Sequence, residues 1–292
     1  MNDTKQEIAP DPHPHEPGFT VPAGACDAHF HIFLDPADYP LVNNPRFKPV
    51  IATNAQFQNM SKALHIERAV LVQPTVYGTD NRLLVRMLEE NPDYRGIAVI
   101  DQNTPRAELQ RLDRAGCRGI RMSGMPPGPA AHDYLRDMAK MAADVGWHIQ
   151  IYAGPGTLMK VAETLASLPT DVVLDHFAGL VPMHAHDCPE RRVLAALLET
   201  GRTWVKISGA YRSSKSGPPY EDTIPLARWL IQKAPDRIVW GSDWPHPHLN
   251  GGAMPNDGDL LNLFALQAES EGMRKKILVD NPTALYRWHY PA

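Results

Sequence analysis

From about residue 25 the chain alternates short apolar, β-branched runs with longer stretches whose apolar positions recur at helical spacing. The runs are 25–33, 69–73, 96–100, 119–122, 148–152, 172–176, 204–208 and 237–242. Between them Leu83, Val85, Met87 and Leu88, and later Leu194, Leu197 and Leu198, mark segments long enough to be crossover helices. One helix shows both ends in the sequence. Thr104 is placed to accept from the orphan amides of a first turn, Pro105 suits the first helical position, and Gly116 can take the left-handed stop. Eight strand-then-helix units in roughly 260 residues predict an α/β protein, a single (β/α)8 TIM barrel. A doubly wound open sheet is the alternative that strand count alone permits.

Residues 1–24 do not share this rhythm. Pro10, Pro12, Pro14, Pro17 and Pro22 stand among charges, so 1–24 reads as an extended, partly disordered N-terminal segment ahead of one barrel at 25–292. His13 and His15 are read as two histidines of a solvated tail rather than a metal pair. The Gly- and Pro-rich stretches 123–130 and 213–219 are read as loops over the active face, not as linkers.

Composition narrows the function classes. With 43% hydrophobic and 21% charged residues and no apolar run near the roughly 20 residues of a membrane span, the sequence predicts a globular protein without a membrane partner. Lys and Arg number 29 against 33 acidic residues, a formal charge of -4, which gives no field that would draw the chain onto nucleic acid. Cys26, Cys117 and Cys188 form no C-x-x-C pair and read as reduced thiols of a cytoplasmic protein.

The ends of the predicted strands carry the chemistry. In a parallel barrel the C-terminal rim is the active face. The first strand reads Cys26-Asp27-Ala28-His29-Phe30-His31, and alternation at period two puts His29 and His31 on one side. The sixth ends in Asp175-His176, and the eighth in Gly241-Ser242-Asp243. Singly, each residue has a plain reading, as a hydrogen-bonded core histidine or a turn-capping aspartate. Together they deliver a carboxylate and three imidazoles to one rim, the residue types that ester hydrolysis needs for a base and for stabilising an oxyanion.

These motifs, D-A-H-F-H, L-D-H and W-G-S-D-W-P-H, resemble the amidohydrolase superfamily and, within it, the group of 2-pyrone-4,6-dicarboxylate lactonase. The resemblance runs from about Pro22 to Trp288 and includes Q-P-T-V-Y-G-T-D-N at 73–81, R-G-I-R at 118–121, Asn281-Pro282 and Leu285-Tyr286. It implies a cytoplasmic lactonase acting on a small-molecule lactone from aromatic or sugar-acid breakdown. Asp243 would take a proton from the attacking water, while His29, His31 and His176 polarise the lactone carbonyl. It also implies substrate contacts from Thr75, Arg121, Tyr152, Arg212, His246 and His248. No metal is obligatory on this reading; the alternative is a single Zn²⁺ held by His29, His31, His176 and Asp243. A two-metal site is not expected, since Arg121 and Tyr152 stand on the middle strands where such a site needs a bridging lysine and further histidines.

The departures from that pattern bear on substrate. A second arginine is replaced within Ser123-Gly124-Met125-Pro126-Pro127, a basic residue is missing from Phe177-Ala178-Gly179-Leu180, and a tyrosine is replaced by Phe47. A lactone with one acid group, a sugar lactone, or a more apolar ring against Met122, Met125 and Phe177 is therefore expected in place of a dicarboxylate. Lys206 either adds a charge to the site or reaches past the strand to solvent. A lactone isomerase using the same base, a Zn-dependent decarboxylase of the same superfamily, and a ligand-binding barrel without turnover are the competing readings.

Overall fold

The apolar runs become eight parallel strands: β1 (Cys26–Phe30), β2 (Arg68–Val72), β3 (Tyr94–Ala98), β4 (Cys117–Arg121), β5 (His148–Ile151), β6 (Val172–Leu174), β7 (Thr203–Ser208) and β8 (Ile238–Gly241). They belong to a computed structural model describing residues 7–288 except 123–125, 129, 153, 155, 183–187 and 250–251. Every residue of β1, β5, β6, β7 and β8 is buried. That is why apolar residues dominate them: helices cover one face and the barrel interior the other.

Each strand pairs in parallel with the next, β1 to β8 in order. The seam between β8 and β1 is closed just past the strand ends, where His31 N donates to Trp244 O and Asp243 N to His29 O, both at 2.8 Å. This sets aside the open doubly wound sheet. Two features bring the seam together. Gly241 has no side chain where a Cβ would stand 2.7 Å from both the Cβ and the backbone N of His29. Buried Asp27 accepts from His29 N at 3.0 Å, from Ser242 N at 2.9 Å and from the Ser242 hydroxyl, so one carboxylate ties both strands.

The helices are α1 (Asn54–Ala63), α2 (Arg82–Glu90), α3 (Arg106–Ala115), α4 (Ala130–Ala143), α5 (Thr157–Ser167), α6 (Pro189–Glu199), α7 (Ala210–Ser213), α8 (Ile224–Lys233), α9 (Asp257–Gln267), α10 (Glu271–Lys275) and α11 (Asn281–Tyr286). α2 buries Leu83, Leu84, Val85, Met87 and Leu88, and α6 buries Leu194, Leu197 and Leu198, as the spacing predicts. Inside the barrel Cys26, Ala28, Val70, Val72, Ile97, Val173, Trp204 and Val239 pack together with Leu285, Tyr286 and Trp288. Among the described residues no helix is long and apolar enough to cross a membrane.

Two local expectations change. α3 stops at Gly116 with φ 114°, as predicted, but begins one residue later, with Pro105 as its N-cap and no side-chain cap. Thr104 instead closes the preceding turn, its hydroxyl accepting from Asp101 N at 3.1 Å. The N-terminal segment is not a free tail in its described part. His15 N donates to Asn256 Oδ1 at 2.8 Å, His15 Nδ1 meets Asp259 at 2.8 Å, and Asn256 Nδ2 donates to Asp11 at 2.9 Å. Prolines that prevent regular structure also pre-order an extended strap, which lies along the start of α9.

Candidate active site

The site is assembled where the strands end, and local backbone explains how. Past β8, Asp243 has φ 66°, a left-handed conformation that aspartate tolerates better than most residues. It is fixed there by its own N–H on His29 O and by His246 N donating to Asp243 O at 2.7 Å. Past β6, His176, Phe177 and Ala178 have φ of 50°, 55° and 56°, a tight left-handed turn. Gly209 after β7 is itself left-handed at φ 58°, and a Cβ there would stand 3.0 Å from His176 Nδ1. In β1 the register shifts between Asp27 and Phe30. Ala28 packs in the inner cluster, and the bulge lets the next residue, His29, also face inward.

These ends surround a cavity of about 500 Å³, a size suited to a small organic molecule. His31, Thr75, Arg121, Tyr152, His176, Arg212, Asp243 and His248 line it. His29 lies one layer below, wholly buried. His246 does not reach the cavity: its ring packs on Tyr211, and its Nε2 faces Asp257 Oδ1 at the start of α9, 3.1 Å away. Met122 lines the wall, Phe177 is buried and outside the lining, and Met125 lies outside the described residues.

Three imidazoles converge on one carboxylate. His29 Nε2 and His31 Nε2 each lie 3.7 Å from Asp243 Oδ1, and His176 Nε2 lies 3.8 Å from Oδ2. Oδ2 accepts from Tyr211 OH at 2.6 Å and from Arg212 Nε at 2.7 Å, whereas buried Oδ1 has no hydrogen-bond donor. Burial alone would push the Asp243 carboxyl up, but Arg212 and the surrounding histidines hold it well below the usual carboxylate range. The imidazoles move the other way. Burial lowers His29, lowers His31 strongly with help from Arg121, and takes His176 down to about 3. The site at neutral pH is therefore a carboxylate facing neutral rings. His31 Nδ1 lies 2.7 Å from Val72 O, which can only accept, so Nδ1 carries the proton and Nε2 the lone pair.

Below His29 lies a polar layer inside the barrel. Lys206 is wholly buried and donates to Ala28 O and to Gln150 Oε1, each at 2.8 Å. Gln150 Nε2 donates to Asp175 Oδ2 at 3.0 Å, and Asp175 Oδ1 faces His29 Nδ1 at 3.3 Å. Burial pushes Lys206 down to about 8, with Asp175 working against the shift, so the ammonium persists at neutral pH. Burial opposes ionisation of Asp175 as well, yet His29 and Lys206 together hold its carboxyl below the ordinary range. Lys206 therefore neither reaches solvent nor lines the cavity.

Sequence reasoning missed several of these groups. Tyr211 sits beside Arg212 on α7, and Arg46 lines the cavity from the irregular segment between β1 and α1, where no periodicity marks it. Arg212 lines the cavity, with its Nε on Asp243 and its Nη2 on Pro247 O at 2.8 Å. Gln150 and Lys206 did carry a signal, being polar residues at the inward phase of buried strands.

His29, His31 and Asp243 bring donor atoms within 4.8 Å of one another. His29 Nε2 and Asp243 Oδ1 are buried with no hydrogen-bond partner, and His31 Nε2 adds a lone pair. Two imidazole nitrogens, once both are unprotonated, and a carboxylate oxygen around one point can hold a single metal ion. Among the described residues no lysine stands at this point to bridge a second.

A closed parallel barrel whose first, sixth and eighth strands bring histidine and aspartate to one rim defines a hydrolytic type of barrel. The chain belongs to the amidohydrolase family, whose model matches residues 26–288. It is 35% identical over 285 residues to a 2-pyrone-4,6-dicarboxylate hydrolase of Comamonas testosteroni, covering 94% of this chain and 93% of that protein. It is 32% identical over 284 residues to a 4-sulfomuconolactone hydrolase of Hydrogenophaga intermedia, covering 96% and 94%. The solved apo structure of an Agrobacterium tumefaciens protein superimposes with a TM-score of 0.83 at 26% identity, covering 94% of this chain and 99% of that one.

Proposed function

We propose that the protein is a lactonase that hydrolyses a ring ester bearing one acid group, releasing a hydroxy acid. The observation that carries this reading is the asymmetry of Asp243. Tyr211 and Arg212 occupy Oδ2, which leaves Oδ1 as the oxygen free to accept a proton. As water attacks the lactone carbonyl carbon, Asp243 Oδ1 takes its proton and the carbonyl electron pair moves onto oxygen. His176 lines the cavity with Nδ1 2.9 Å from the Ser208 hydroxyl. When that hydroxyl donates to Nδ1, Nε2–H is left to donate to the oxyanion. Collapse of the tetrahedral adduct breaks the ring C–O bond, and the leaving alkoxide recovers the proton from Asp243.

His29, His31 and one lone pair of Asp243 Oδ1 would hold a zinc ion, which when bound polarises the carbonyl as a Lewis acid, and the other lone pair of Oδ1 would still accept the water's proton. The sequence puts metal-free turnover first and a single Zn²⁺ second. The unpartnered buried lone pairs favour the second.

The cavity's charge supports one acid group. Arg212 is engaged by Asp243, while Arg121 gives only Nη1 to Gln73 O, at 3.0 Å, and lines the cavity together with Arg46. Phe33, Phe47, Met122 and Ile151 supply an apolar wall for the ring. The test is a panel of mono-acid, dicarboxylate and neutral sugar lactones, followed by proton release and product mass. The expected result is a product heavier by one water, with mono-acid lactones preferred by about tenfold or more, the worth of one charge-assisted contact. A product of unchanged mass would replace this reading by isomerisation, and loss of carbon dioxide by decarboxylation.

A further inference from the structure

Lys206 is a cation sealed in the barrel, and the hydrolytic scheme above gives it nothing to do. Its surroundings come from four strands. β1 contributes Ala28 O and His29, β5 contributes Gln150, β7 carries Lys206 itself, and Asp175 follows β6. Lys206 Nζ stands 3.6 Å from Asp175 Oδ1, and Gln150 bridges the two groups, its Oε1 accepting a hydrogen bond from Lys206 and its Nε2 donating one to Asp175 Oδ2. Asp175 is thereby fixed from both sides with Oδ1 toward His29 Nδ1.

We infer that Lys206 and Gln150 are positioning residues, which hold Asp175 against His29 so that His29 keeps its proton on Nδ1 and presents an unprotonated Nε2 to Asp243. The inference rests on the lactonase reading for its catalytic consequence only; the state of the ring is a property of the resting protein. Two groups compete for Nδ1, since Lys206 Nζ lies 3.5 Å away and could donate to it, which would force the proton onto Nε2. The proton on Nδ1 is assigned to the carboxylate because Asp175 Oδ1 is buried with no other hydrogen-bond donor, and for two further reasons. The carboxylate is closer, at 3.3 Å, and Lys206 already has shorter bonds to Ala28 O and Gln150 Oε1. Partners of this kind orient functional imidazoles elsewhere, and their loss costs about 10–100-fold in activity. A wrong imidazole tautomer in a hydrolytic triad costs about 10⁴-fold with the geometry intact.

The experiment is ¹⁵N spectroscopy of histidine-labelled, chelator-treated full-length protein, with His29 assigned from His29→Gln. The expected wild-type spectrum has Nδ1 protonated and Nε2 not. In Lys206→Met the two nitrogens should move toward shared values as both tautomers populate. On the lactone that the wild type turns over, kcat should fall about 10–100-fold with KM within about twofold. Asp175→Asn keeps the volume and offers Nδ1 an amide N–H, so His29 should switch to the Nε2–H form; this variant decides the matter if Lys206→Met does not fold. An Nε2–H tautomer in the wild type overturns the inference, and so does a Lys206→Met protein with unchanged His29 shifts and full kcat. Because the nitrogen shifts need no substrate, failure of every lactone counts against the functional reading alone.

Discussion

Barrel closure and active-site geometry meet at Gly241, and a single methyl group there tests both. Gly241 is not in the left-handed region, so alanine is acceptable to its backbone and the clash is the whole effect. The new Cβ would stand 2.7 Å from His29 Cβ and N and 3.2 Å from His29 Cα, where ordinary contacts begin near 3.4 Å. Much of what it meets is backbone of the neighbouring strand, so relief requires β1 and β8 to part. Overpacking of this kind costs about 1–3 kcal/mol. At roughly 2–4 °C per kcal/mol for a chain of this size, Gly241→Ala should melt about 2–12 °C below the wild type. It should also move His29, whose Nε2 is 3.7 Å from Asp243 Oδ1, and misplacement on the ångström scale costs up to about 100-fold in kcat. Gly272→Ala is the control: Gly272 lies in α10 with no atom within 4 Å of its Cβ position, so alanine should stabilise by about 0.5–1 kcal/mol through helix propensity. Calorimetry with steady-state kinetics reads both variants. A Gly241→Ala protein that melts with the wild type and keeps full kcat would refute the tight β1–β8 seam.

Asp243→Asn should lower kcat by about 10²–10⁴-fold while leaving the circular dichroism spectrum unchanged, and retained turnover would remove Asp243 as the base. Elemental analysis of protein purified without chelator should return about one zinc per chain, and His29→Asn and His31→Asn should each lose it. Full activity after exhaustive chelation would restore the metal-free set. Arg46→Ala should raise KM about tenfold for acid-bearing lactones and leave neutral lactones unaffected; an equal loss on both would mean that Arg46 shapes the loop and does not meet the substrate.

What the sequence revealed and what it hid follow from how locally each feature is determined. All eight strands were legible because strands packed between helices and the barrel interior are mostly apolar, whatever their neighbours are. His31, His176 and Asp243 were legible because a polar group ending such a run has to emerge at the rim. His246 and His248 were not separable, since both take positive φ, 61° and 62°, in a turn whose course depends on the β1 seam and on α9. The N-terminal strap was invisible for a related reason: its partners Asn256 and Asp259 lie more than 240 residues away in sequence. Glu7 even accepts from His248 N at 2.9 Å, at the cavity mouth. The polar layer beneath His29 teaches the most. Lys206 and Gln150 alternate with Val205, Ile207, Ile149 and Ile151, so period two already turned them into the barrel interior, where an uncompensated charge would be costly. A polar residue at the inward phase of a wholly buried parallel strand must find partners on neighbouring strands, and here those partners lie directly beneath the rim that lines the cavity. The interior polar positions of β5 and β7, with Asp175 after β6, mark the polar layer beneath the cavity as plainly as the strand ends mark its rim.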